Sequence, residues 1–147
     1  MAFLDRLKLF ITGGKLDVRA RFELLREAIS GTMSKFYMAR DRQSGQIVGL
    51  KILDVRKTAA FEDRFRGLSK PTEGQIAVLF DHPYIVQTYE HGITNDGAQY
   101  LVMEYLEGPG MNSLLVAQDP RLDGRRVTFI RQVAEALDVV HKVGYIH

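Results

Sequence analysis

The sequence predicts an α+β fold: a five-stranded antiparallel sheet carrying one helix, followed by the start of an all-helical part. Three observations lead there. Three short runs rich in Phe, Leu, Ile and Tyr are joined by tight turns. Two further apolar runs flank Asn95-Asp96-Gly97. A long stripe of apolar residues at spacings of three and four then fills the C-terminal stretch.

Residues 21–29 and 34–42 read as strands, with Ser30-Gly31-Thr32 as the turn between them. Gln43-Ser44-Gly45 is the next turn signal, and 46–53 is the third strand, which completes a meander. The charged stretch 56–66 reads as a surface helix. Pro71 disfavours helix at Lys70 and suits the first turn of a new one. That helix runs over 72–80, with Ile76, Leu79 and Phe80 on one face, until His82-Pro83 ends it. Strands follow at 85–90 and 99–105, with Asn95-Asp96-Gly97 as a hairpin turn. Gly108-Pro109-Gly110 breaks the chain and marks the domain seam. Residues 111–117 form a short helix. The clearest helix spans 125–143, where Val127, Ile130, Val133, Leu137 and Val140 make a core stripe and Gly144 supplies the C-terminal cap. The expected division is an N-terminal extension (1–20), a sheet domain with its exit segment (21–107) and an incomplete helical part (108–147).

Composition narrows the function classes. The 147 residues suffice for one domain with a real core. A net charge of +2 does not imply nucleic acid as a partner. The chain has no cysteine, which excludes disulfides and thiolate metal sites and agrees with a cytoplasmic setting. No apolar run reaches the length of a membrane span. Residues 1–11 read as an amphipathic helix ended by Gly13-Gly14. Asp5, Arg6 and Lys8 interrupt its apolar face, unlike a signal peptide. Docking on the body of the protein is the expected role, and membrane association through residues 1–14 is the alternative.

Three features bear chemistry. Lys51 lies in the apolar strand Val48-Gly49-Leu50-Lys51-Ile52-Leu53. Burying its ammonium is costly unless an anion meets it, so it faces a partner or escapes to water at a sheet edge. Glu73 begins the helix after that strand. It is either that partner or an ordinary first-turn acid. The turn 29–34 holds Gly31 among Ser30, Thr32 and Ser34. It is a phosphate-cradling turn or a plain hairpin.

The order of several short motifs resembles the N-terminal part of a eukaryotic-type (Hanks-type) serine/threonine protein kinase domain over residues 22–147. Tyr37-Met38-Ala39-Arg40-Asp41 resembles the end of the strand after the glycine-rich loop. Val48-Gly49-Leu50-Lys51 is similar to Val-Ala-Ile-Lys. Glu73 stands nine residues before His82-Pro83-Tyr84-Ile85-Val86, which resembles His-Pro-Asn-Ile-Val. Val102-Met103-Glu104-Tyr105-Leu106-Glu107-Gly108 resembles a gatekeeper and hinge. Residues 131–137 and 141–147 resemble the helix leading into His-Arg-Asp.

The resemblance implies roles. Lys51 would contact the α- and β-phosphates of ATP and Glu73 would hold it there. The 29–34 turn would cover the phosphates. Main-chain groups at Glu104 and Leu106 would bind adenine, with Met103 as gatekeeper. Mg²⁺ would accompany ATP, its ligands lying outside this chain. The acceptor would be a protein hydroxyl, Ser/Thr by leaning.

The chain departs from the family pattern in several places. Gly-x-Gly-x-x-Gly aligns with Ile29, Gly31 and Ser34, so only the middle glycine is kept. Phe36 and Gly49 stand where Val and Ala are usual. We expect Phe36 to fill the space over Gly49 and to stack on the base. Pro71 and Gly74 flank Glu73 and suggest a softly supported helix. His147 matches the His of His-Arg-Asp, so the catalytic Asp, the metal-binding Asn and Asp-Phe-Gly are not in the chain. The chain alone is expected to be inactive and to self-associate through the exposed stripe of helix 125–143. The leading reading is therefore the ATP-binding part of an active kinase. The alternatives are a pseudokinase-type nucleotide-binding or protein-interaction module, and a short protein acting as a partner of a full kinase.

Overall fold

The computed structural model describes residues 15–64, 67–68 and 70–147, apart from the side chains of residues 28–30. The helix expected over 1–11 and its Gly13-Gly14 end lie outside them. The chain forms two compact units. One holds the chain up to Leu79 together with Gln87–Tyr105; the other holds Phe80–Val86 with Leu106–His147.

The first unit is built on a five-stranded antiparallel sheet. Its strands are β1 (Phe22–Ser30), β2 (Ser34–Asp41), β3 (Ile47–Leu53), β4 (Thr88–Ile93) and β5 (Gln99–Met103), in the order β1-β2-β3-β5-β4. Side chains alternate across a strand, so each face can be read from register. On one face, Ala39, Val48, Leu50, Tyr100 and Val102 pack with Phe22 into the buried core. Burying a side chain such as Leu50 or Phe22 contributes roughly 1.5–3 kcal/mol. The segment before β1 closes this face. Helix α1 (Val18–Arg21) is capped by Asp17, and Leu16 and Val18 pack against the core. Leu16 also donates to Ile93 O at 2.9 Å and accepts from Asn95 N at 2.9 Å.

Two helices lie between β3 and β4, where the charged stretch 56–66 and the segment 72–80 were expected to be helical. Helix α2 (Val55–Asp63) begins after Asp54, whose carboxylate caps it by accepting from Lys57 N at 3.0 Å. Helix α3 (Glu73–Ala77) packs on β4 and β5. It is far shorter than the expected 72–80. A capping box of Thr72 and Gln75 fixes its start. At its end the bonding tightens to Leu79 N with Ile76 O at 3.1 Å. Leu79 is exposed, and Phe80 belongs to the other unit.

Strand β4 starts three residues later than the expected 85–90, because the chain first turns at 83–85, held by Ile85 N on His82 O at 3.0 Å. It continues through Gly92, where a Cβ would stand 2.9 Å from Tyr100 Cε1, so the missing side chain makes room for the ring. β1 carries two register shifts, between Leu24 and Arg26 and between Glu27 and Ile29, which break its alternation and leave Leu24 and Leu25 exposed.

In the second unit, helix α4 (Met111–Val116) is followed by a 3₁₀ turn (Pro120–Leu122), in which Leu122 is buried, and by α5 (Arg126–Lys142). Gly144 N bonds His141 O and Tyr145 N bonds Val140 O, with Gly144 at φ +88°. That is a Schellman cap, possible at low cost because glycine tolerates the left-handed region. Val127, Ile130 and Val133 of the expected core stripe are exposed, and no residue of α5 is buried.

Candidate functional site

The face of the sheet opposite the core carries two cross-strand rows. Phe36, Lys51, Leu101 and His91 stand in register across β2, β3, β5 and β4; Met38, Gly49 and Met103 form the next row. Lys51 is therefore on a central strand. The edge-lysine alternative fails on topology, since β1 and β4 are the edges.

The structure brings Lys51 and Glu73 together: Lys51 Nζ donates to Glu73 Oε1. Their side chains are 27% and 48% exposed, so the pair contributes roughly 0–1 kcal/mol to stability. Its value lies in aiming an ammonium group. Gly74 sets that aim. A Cβ there would stand 2.4 Å from His91 Cβ. This contact places the start of α3 directly over the row that contains Lys51. The expectation of a softly supported helix is corrected accordingly: Gly74 permits close packing, and Thr72 and Gln75 cap the first turn.

Gly49 is a recess in this face. A Cβ at position 49 would meet Phe36 Cζ at 2.6 Å and Met103 Cγ at 3.1 Å. Phe36 thus leans into the space that an alanine methyl would fill. Phe36, Gly49 and Met103 together make one wall beside Lys51. Glu104 N donates to Gln87 O at 2.9 Å, and Glu104 Oε1 accepts from Gln87 N at 2.8 Å. Of Glu104's two main-chain groups, the carbonyl is the one left for a ligand. Arg26 donates to the Tyr105 hydroxyl and steadies the same segment. Leu106 is exposed and belongs to the second unit.

Of the expected phosphate turn, Ile29 pairs with Phe36 and Ser30 with Lys35 as strand residues, while Ser34 pairs with Leu53. The turn proper is Gly31, Thr32 and Met33, closed by Gly31 N on Ser34 O at 2.8 Å. Beside Lys51 and Glu73, a cavity of about 510 Å³ opens between β3, α2 and the segment leading into α3. Among the described residues, no group of three or more His, Cys, Asp or Glu could hold a metal ion. No helix among them is long and apolar enough to cross a membrane.

Sequence reasoning missed a buried polar network on the core face. Arg21 Nη1 donates to Glu90 Oε1 at 2.7 Å and Nη2 to Asp41 Oδ2 at 3.0 Å. Tyr100 Oη donates to the same Glu90 oxygen at 2.6 Å. Burial alone would lower the Arg21 pKa, but its bonds to Glu90 and Asp41 outweigh it and hold the guanidinium charged. These residues come from four separated segments, and no local pattern links them.

The protein kinase domain family matches residues 22–147. The chain is 32% identical over 134 residues to serine/threonine-protein kinase pkn2 of Myxococcus xanthus, covering 90% of this chain and 15% of that protein. It is 32% identical over 132 residues to serine/threonine-protein kinase PknB of Mycobacterium tuberculosis, covering 86% of this chain and 20% of that protein. The chain thus spans a fifth or less of the length of these relatives. A sheet of this topology, with a strand lysine met by a helix glutamate and a family match over residues 22–147, makes this chain a member of the protein kinase domain family, of which it comprises the N-terminal portion.

Proposed function

We propose that this chain is the ATP-binding part of a protein kinase that transfers the γ-phosphoryl group of ATP to Ser or Thr of a protein. The observation that carries the reading is the Lys51–Glu73 pair, formed beside the recess at Gly49. Lys51 presents its ammonium to the α- and β-phosphates, and Glu73 fixes its direction. Main-chain N–H groups of the Gly31 turn lie over the phosphates. Phe36, Gly49 and Met103 take the base, with the Glu104 carbonyl as a hydrogen-bond partner.

Among the described residues, no group of three or more His, Cys, Asp or Glu could hold a magnesium ion. ATP-bound Mg²⁺ supplies charge neutralisation in such reactions, and its protein ligands are not among these residues. The 147-residue chain on its own is therefore expected to bind nucleotide without turning it over. ATP titration by calorimetry tests this. Binding to the unsubstituted chain that weakens at least tenfold in Lys51→Met supports the reading; no binding to the unsubstituted chain overturns it.

A binding-only module is the second reading, favoured by a turn that keeps one of three glycines and has Ile29 and Ser34 in strand pairing. Phosphoryl transfer by the longest gene product containing this chain separates the two, provided that it is lost in Lys51→Met.

A further inference from the structure

We infer that Lys57 is a positioning residue that fastens the β1–β2 turn for nucleotide binding, an inference that rests on the ATP-binding reading above. The turn offers two carbonyls, Thr32 O and Met33 O, that the hairpin itself does not bond. Both are taken by the N-cap and first turn of α2. Asp54 N donates to Met33 O at 2.8 Å, and Lys57 Nζ donates to Thr32 O at 2.6 Å. The same Asp54 caps α2 through Lys57 N at 3.0 Å, so the Lys57 backbone is fixed by the residue that holds the neighbouring carbonyl. Asp54 directly follows β3, the strand that carries Lys51. The turn and the phosphate-facing lysine are thereby referenced to one strand.

This tie answers the loss of glycines. A loop with three glycines can fold down on phosphate by changing backbone conformation. Here Ile29 and Ser34 are locked in strand pairs, and a Cβ on Gly31 would stand 3.2 Å from Ser34 O. The turn has little freedom to adapt, so its amides must already be placed. A charge-assisted bond from Lys57 does that while adding positive potential beside the turn. Lys57 acts through the turn and is not assigned a contact with nucleotide.

The test is amide hydrogen exchange at residues 31–34 in the nucleotide-free chain, paired with ATP titration, for the unsubstituted protein, Lys57→Met and Lys57→Arg. Lys57 is exposed on a helix surface, so the fold should persist in both variants. We expect exchange about three- to tenfold faster in Lys57→Met, the size of one net hydrogen bond, with a similar loss of ATP affinity and recovery of both in Lys57→Arg. Unchanged exchange in Lys57→Met overturns the inference. If ATP affinity falls without that change, Lys57 is a direct phosphate ligand instead. Faster exchange in a protein whose unsubstituted form binds no ATP overturns the nucleotide reading, and with it the purpose assigned to the tie, while leaving the tie itself.

Discussion

Phe36 occupies the place of the side chain that Gly49 lacks: a Cβ on Gly49 would stand 2.6 Å from Phe36 Cζ. Two strands have exchanged volume across a diagonal of the sheet, large on β2 and none on β3. Gly49→Ala alone should overpack this spot and destabilise the fold by about 1–3 kcal/mol. Phe36→Val with Gly49→Ala should recover most of that loss. Urea midpoints of the two single variants and the double variant give the coupling directly, and a double variant no more stable than Gly49→Ala would reject the exchange.

Gly74 and His91 make a tighter contact, 2.4 Å from an added Cβ to His91 Cβ. Gly74→Ala should lift α3 from β4 and destabilise the first unit by about 1–3 kcal/mol. His91→Ala should relieve only part of this, because it removes Cγ, 2.6 Å from the added Cβ, but leaves the closer Cβ; His91→Gly should relieve more. The same urea series checks the ordering. ATP affinity should fall in Gly74→Ala if the Lys51–Glu73 aim depends on α3.

Arg21 lies one residue before the kinase family match, yet its side chain is only 9% exposed, between Asp41 and Glu90. Arg21→Met should cost about 3–5 kcal/mol, since it leaves two carboxylates buried without their cation. A chain beginning at Phe22 should show the same loss or fail to fold. Thermal unfolding followed by circular dichroism distinguishes this from a dispensable extension.

Tyr100 gives the pH dependence. Burial first, and its bond to the Glu90 carboxylate second, raise its pKa above the ordinary phenol value of about 10. The folded state therefore holds this proton more tightly than the unfolded state. The contribution is complete below about pH 10 and declines as pH rises past it. Urea midpoints between about pH 8 and about pH 11 should fall more steeply for the unsubstituted chain than for Tyr100→Phe. Equal slopes would show that the hydroxyl does not carry the effect.

Much of this was legible in the sequence, and for local reasons. Turn chemistry at Gly45 and Gly97, both with positive φ, the C-cap at Gly144 and strand-forming runs fixed five strands and the long helix to within a few residues. Motif order was enough to suggest the kinase family, and composition excluded thiol chemistry outright. Tertiary structure decided what depends on contacts between distant segments. It put Lys51 on a central strand and joined it to Glu73; it closed Phe36 over Gly49 and Gly74 onto His91. It also gathered Arg21, Asp41, Glu90 and Tyr100 into one buried network and tied Lys57 to the turn. Propensity and periodicity act over a few residues, whereas these pairings span tens of residues and are chosen by packing and by the cost of burying an unpaired charge.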